Sequence, residues 1–273
     1  MSTINPTATQ FVTSADGTRI AYEATGSGPA LVLVDGALCQ RTMGPSRGLA
    51  RALADRFTVY VYDRRGRGES GPGTTPYNVA REVEDLSAVI EAAGGHAHVA
   101  GVSSGAVLAL EAARQGLPVD RLAVYEAPFI VDGTRPANDP RLPEQVRAMV
   151  DDGRPGDAVR TFMRTVGVPA PFVLLMRLMP SWRQLTGVAH TLPYDLSIVV
   201  EHQQGRPLPA GYYDAVAAET LVLAGGKSPE YMRNGQAAVA EAVPAARLVT
   251  IARQTHMVKA QAVAPVLGDF LAG

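Results

Sequence analysis

Two serines stand between two glycines in Gly101-Val102-Ser103-Ser104-Gly105. The spacing is that of a G-x-S-x-G turn, in which a serine leaves the end of a strand and enters a helix. The flanks suit it, with the apolar run HAHVA before and AVLALEAA after. A bend that sharp lifts one hydroxyl above the sheet edge, and the flanking glycines remove Cβ atoms that would collide within it. The pattern selects Ser103 as a nucleophile. Ser104 would open the following helix, where unspent N–H groups and the positive dipole end favour a developing oxyanion, so its expected contribution is its backbone amide. The competing reading is a Gly/Ser turn that caps a helix and does no chemistry.

A serine hydroxyl attacks only once a base takes its proton. Of the five histidines, His96 and His98 lie at the wrong end of the strand HAHVA, and His190 and His202 fall in an all-helical stretch. His256 remains. It follows the strand ARLVTIAR, at the sheet end where the serine opens, and is the expected base.

These residues need a sheet to hold them. Before residue 130 short β-type runs alternate with longer amphipathic ones, the pattern of a mostly parallel sheet covered by helices on both faces. QFVTS and TRIAYEAT form an opening hairpin around Asp16-Gly17. LVLVDG and TVYVYD are buried strands that each stop at an aspartate, GLARALADR and NVAREVEDLSAVIEAAGG are helices, and RLAVYEAPF is a further strand. The β-pattern then vanishes into proline-punctuated helical pieces, and returns as TLVLAGG and ARLVTIAR with the helix NGQAAVAEAV between them. We divide the chain into an α/β core, residues 1–130 and 217–273, and a helical cap insert, residues 131–216.

Composition narrows the function classes. A formal charge of −1, with 47% apolar and 19% charged residues, is an ordinary globular balance with no basic footprint for nucleic acid. The one cysteine, Cys39, rules out an intrachain disulfide and fits a reducing compartment. The amino terminus carries no signal pattern and no apolar run reaches membrane-spanning length, so a cytoplasmic protein without membrane partners is expected. No metal or organic cofactor is implied, since there is no H-E-x-x-H pattern and no phosphate-cradling glycine loop. The expected partner is a small-molecule substrate, with homodimer formation left open.

With the elbow, the segments DGTRIAYEATGSGPALVLVDG, YDRRGRGES, TLVLAGG and RQTHMV together resemble the α/β-hydrolase superfamily, particularly its capped esterase, lactonase, haloperoxidase-like and lyase group. The resemblance runs nearly the whole length and implies an α/β-hydrolase fold with an inserted helical cap. In position His256 resembles the family's catalytic histidine. The family's usual acid follows the strand LVLAGG, yet Ser228 stands there. Some capped members supply the acid after the preceding strand, which here places Glu126, and a carboxylate at the end of an apolar run needs a partner such as an imidazole N–H. Glu126 is the first choice, with Glu230 and Asp195 as fallbacks.

The resemblance also implies an oxyanion hole built from the amides of Ala37 and Ser104. Where the family carries His-Gly, this chain carries Asp35-Gly36. A carboxylate near the oxyanion would oppose ester chemistry. Asp35 is therefore either a loop-holding carboxylate or a general base in a non-hydrolytic reaction. Asp63-Arg64-Arg65-Gly66-Arg67-Gly68 is read as a structural turn whose arginines pair with nearby carboxylates and carbonyls. Met176, Met179 and Trp182 could give the cap an apolar face toward the pocket, with polar contacts from Tyr194, Asp195 and His190. The expected function is hydrolysis of an ester, thioester or lactone of a medium-sized apolar molecule through acyl-Ser103. The alternatives are a cofactor-free lyase or cyclase on the same fold, with Asp35 or His256 moving protons, and a non-catalytic ligand-binding protein.

Overall fold

The computed structural model describes residues 8–74 and 76–273. Eight strands form one sheet in the order β1-β2-β4-β3-β5-β6-β7-β8. The predicted hairpin is there: β1 (Gln10–Thr13) pairs antiparallel with β2 (Arg19–Gly26), and β2 pairs antiparallel with β4 (Thr58–Tyr62). All later pairings, through β3 (Ala30–Val34), β5 (Ala97–Val102), β6 (Val119–Tyr125), β7 (Glu219–Gly225) and β8 (Ala246–Ile251), are parallel. Both faces of the central strands are covered, which is why they read as continuous apolar runs.

Two apolar layers do the covering. On one face α2 (Val79–Ala92), α3 (Ser104–Arg114) and α9 (Glu230–Ala242) pack through Leu86, Val107, Leu110 and Val239 onto Val32, Val99 and Val124. On the other, α1 (Ser46–Leu53) and α10 (Ala260–Ala272) pack through Leu49, Leu53, Val263 and Leu267 onto Leu31, Leu33 and Leu223. The sequence reading does not place α10, which carries Pro265 in its interior.

Between β6 and β7 lie α4 (Leu142–Asp151), α5 (Pro155–Thr165), α6 (Ala170–Met176), α7 (Ser181–Gly187) and α8 (Leu192–Val199). Their shared core of Val146, Ala158, Val159, Leu192 and Leu196 is separate from the two sheet layers and includes Leu38 from the loop after β3. Among the described residues no helix is long and apolar enough to cross a membrane. No cluster of histidine, cysteine and carboxylate groups fit to hold a metal ion occurs among them.

Candidate active site

Ser103 joins β5 to α3 with φ 56° and ψ −126°, a backbone region that non-glycine residues rarely occupy. The strain is held in place from both sides. A Cβ at Gly101 would lie 2.4 Å from the carbonyl oxygen of Gly105, and one at Gly105 would lie 2.2 Å from that of Val34. Neither position has room for a side chain, so the glycines set how tightly the bend closes.

The parallel strands bring the other two residues to the same sheet edge. His256 sits in the loop between β8 and α10, tied down by the Tyr125 hydroxyl, which donates to the carbonyl of Thr255 at 2.6 Å. The Ser103 hydroxyl donates to His256 Nε2 at 3.1 Å, and Nδ1–H donates to Glu126 Oε2 at 3.0 Å. This tautomer follows from the acceptor-only carboxylate on the Nδ1 side. Glu126 is fully buried just past the end of β6, and its other oxygen, Oε1, accepts the Gly225 amide at 2.7 Å. Ser228 lies beside Gly225, and its hydroxyl is not a partner of His256.

The other histidines lie elsewhere. His96 pairs with Asp120, His98 packs edge-on to Phe57, His190 meets the Gly66 carbonyl, and His202 lies among Phe129, Tyr212 and Tyr213. Glu230 is exposed at the start of α9. The amides of Ala37 and Ser104 donate to no described protein acceptor, and both residues border the same cavity as Ser103.

Asp35 does not join them. Its carboxyl lies behind Gly44, where an added Cβ would be 2.9 Å from Oδ2, and it faces Ser46 at the start of α1. Burial pushes its pKa up to about 6, against the pull of Ser46, Arg67 and Arg64. It stands off the cavity wall, so the structure does not place it as a general base for a bound molecule.

Asp195 is a finding the sequence did not supply. Weighed there as a spare acid or a polar contact, it is 1% exposed and held by Arg64 at 2.7 Å and Arg67 at 2.6 Å. It also accepts the Ser104 hydroxyl at 2.7 Å. Burial raises its pKa, but the two guanidiniums outweigh that and hold it below the ordinary carboxylate value. Arg64 also binds Glu82 and Arg67 also binds the Gly36 carbonyl, while Arg65 takes Asp85 and Asp16. The arginines of the turn are structural, but their acids come from α2, α8 and the first hairpin rather than from the turn itself. One buried network thus links α8 to both loops that carry the candidate oxyanion amides.

Two cavities meet at Ser103 and His256. One, about 320 Å³, runs under the helices between β6 and β7, past Ile130, Phe162, Val199 and Met232, with Arg135, Asn138, Gln203 and Tyr231 as its polar groups. The other, about 440 Å³, is bordered by Leu38, Cys39, Met43, Val102, Leu185 and Val258. From the helices between β6 and β7 their apolar walls include Phe162, Met163 and Leu185; Met176, Met179 and Trp182 border neither, and Tyr194 is instead stacked on Tyr77 at 4.0 Å. Burial pushes the Cys39 thiol up to about 12, which leaves it a wall atom rather than a nucleophile.

Comparison with known proteins agrees with this architecture. The curated N-formylmaleamate deformylase of Pseudomonas putida is 35% identical over 159 residues, 56% of this chain; the match spans 58% of that enzyme, less than two thirds of its length. An enol-lactonase from Burkholderia xenovorans shares the fold at TM-score 0.70 and 18% identity, over 97% of this chain and 100% of that one. The crystal structure of an alpha/beta hydrolase from Sphaerobacter thermophilus superposes with TM-score 0.87 at 48% identity, over 96% of this chain and 99% of that one. A model of the alpha/beta hydrolase family matches residues 39–266, and the chain belongs to that family.

Proposed function

We propose that the protein is a serine hydrolase that cleaves an ester, thioester or lactone of a small molecule through an acyl-Ser103 intermediate. The observation that carries the reading is the unbroken relay from Ser103 Oγ through His256 to Glu126, with both hydrogen bonds near 3 Å. His256 Nε2 takes the hydroxyl proton as Oγ attacks the carbonyl carbon. The buried Glu126 carboxylate fixes the imidazole in the required tautomer and stabilises the imidazolium that forms. Negative charge collects on the carbonyl oxygen, to be met by the Ala37 and Ser104 amides. Collapse of the tetrahedral intermediate expels the leaving group, protonated by His256 Nε2–H, and water enters by the same steps in reverse roles.

The relative named as a deformylase supports hydrolysis at a carbonyl group. The cavity volumes fit a compact molecule rather than a polymer. A fluorophosphonate probe tests the proposal. Stoichiometric labelling of the wild type, absent in Ser103→Ala and strongly slowed in His256→Ala, is the expected result. A folded protein that resists labelling and turns over no short-chain ester overturns it, and returns attention to a lyase or a binding protein.

A further inference from the structure

Arg135 is the exception among the buried and half-buried arginines of the described residues. Arg41, Arg64, Arg65, Arg67, Arg81, Arg114 and Arg121, the other described arginines that are buried or half-buried, each have a carboxylate oxygen at 3.2 Å or less. Arg135 is half-buried and has no such partner among the described residues, yet it shares a cavity wall with Ser103 and His256. Its guanidinium lies 4.4 Å above the Tyr231 ring, and one Nη donates to the carbonyl of Thr165. The bond to Thr165 and the contacts with Tyr231, through its ring and its hydroxyl, hold the guanidinium in place and still leave donors of the fork uncommitted.

The other polar groups of this wall do not compete for that role. Asn138 Nδ2 donates to Gln203 Oε1, and Gln203 Nε2 to the Pro128 carbonyl, so these amides are largely satisfied by each other and by backbone. Asp195 is locked by two arginines, and Glu126 by His256 and Gly225. A fixed planar cation in an otherwise apolar chamber matches a planar monoanion bidentately; one guanidinium suits a carboxylate better than a phosphoryl group of higher charge.

We infer that Arg135, backed by Tyr231, is a carboxylate-binding subsite, and that the substrate is a small ester, thioester or lactone bearing a free carboxylate. The inference rests on the hydrolase reading above for the reaction. Its test keeps the two apart.

Monoethyl succinate, glutarate and adipate are compared at neutral pH with ethyl esters in which an isopropyl group replaces the carboxylate. 4-Acetyloxybutanoate against 4-methylpentyl acetate probes the opposite half of the ester. At least one charged ester should exceed its uncharged partner in kcat/KM by about 10- to 100-fold, the scale of one desolvated charge-assisted pair. That ratio should collapse in Arg135→Gln, chiefly through KM, and partly recover in Arg135→Lys. Wild-type preference for the uncharged member throughout overturns the subsite whatever the variants do. A separate calorimetric arm uses Ser103→Ala, in which monoethyl adipate or glutarate should bind at least tenfold more tightly than in Ser103→Ala/Arg135→Gln. If nothing is hydrolysed but this difference holds, the hydrolase reading fails and the subsite stands. Equal affinity overturns the subsite.

Discussion

Glu126→Gln is the sharpest perturbation of the proposed relay, because the native carboxylate accepts two different hydrogen bonds with two different oxygens. Oε1 takes the Gly225 amide and Oε2 takes His256 Nδ1–H. Glutamine has one oxygen and one NH₂, so one of those donors must face another donor. If the oxygen stays on Gly225, the NH₂ meets Nδ1, the proton moves to Nε2, and the ring can no longer accept the Ser103 proton. If the amide flips, tautomer and geometry survive, but the Gly225 N–H is left buried and unpaired, at a cost of roughly 1–3 kcal/mol. In both cases the anion that would stabilise the imidazolium is gone, worth a further ~1.5–3 kcal/mol. Reaching the productive orientation and losing the anion together cost about 2.5–6 kcal/mol, or roughly 10²–10⁴ in kcat at 1.36 kcal/mol per decade. The assay is single-turnover acylation by 4-nitrophenyl acetate, with a thermal melt to show that the variant is folded. Acylation within tenfold of the wild type would refute the relay, because neither orientation of the amide can preserve both the tautomer and the charge.

Further consequences concern strain and buried charge. Ser103→Gly and Ser103→Ala both abolish acylation, but only glycine relaxes φ 56°. The glycine variant should therefore melt higher than the alanine variant despite its larger unfolded-state entropy, by about 1 kcal/mol out of the ~1–3 that such a conformation stores; equal stabilities would mean that the bend is unstrained. Asp195→Asn leaves two buried guanidiniums without their shared anion and should cost roughly 3–5 kcal/mol in a urea titration at pH 7. Because the native pKa of Asp195 is depressed, its contribution is present above the ordinary carboxylate value and lost as pH falls through the native one, so the gap to the variant should narrow below about pH 4. Asp35 runs the other way. With its pKa raised to about 6, the folded state holds a proton that the unfolded chain releases near pH 4, so stability falls as pH rises across that window. Asp35→Asn should match the wild type near pH 4 and gain on it up to about pH 7, by at most ~3 kcal/mol; a gain that does not grow with pH would show that the carboxyl is stabilised where it lies.

What could be read from the chain, and what could not, follows from how far each relationship reaches. The elbow is local: strand, glycine, serine, glycine and helix are consecutive, and the close approach of Gly101 to Gly105 is written into five residues, although Gly105 in turn is pressed against β3 at Val34. The hairpin at Asp16-Gly17 and the alternating strands are local in the same sense. Placing Glu126 and His256 at one sheet edge needs only the rule that parallel strands share their carboxyl ends. The direction of a side chain is not set by such rules. Asp35 stands one residue past β3, level with the elbow, and nothing in its neighbours says that it turns toward Ser46 rather than into the cavity; the path of the loop through Gly44 decides that. Nor does the segment from α6 through α7 announce that Met176, Met179 and Trp182 miss the cavity, since an apolar stretch offers the same composition to a pocket as to a neighbour.

Asp195 carries that argument furthest. It lies in a stretch where proline-broken helices offer no periodic register, and its partners Arg64, Arg67 and Ser104 are 131, 128 and 91 positions away. Yet its charge, together with that of Glu82 on Arg64, is what allows two arginines to be buried beside the loops that carry Ala37 and Ser104. Arg67 holds the Gly36 carbonyl at 2.7 Å, and Arg64 reaches that of Asp35 at 3.2 Å, so the loop presenting the Ala37 amide hangs from two guanidiniums that both pair with Asp195. The Ser104 hydroxyl ties the second amide to the same carboxylate. If these amides are the oxyanion donors, their spacing depends on α8 being seated. Substitutions in the α8–core contact, far from Ser103, should then lower kcat while leaving the Ser103–His256–Glu126 relay intact, because the proton path and the oxyanion site hang from different parts of the fold.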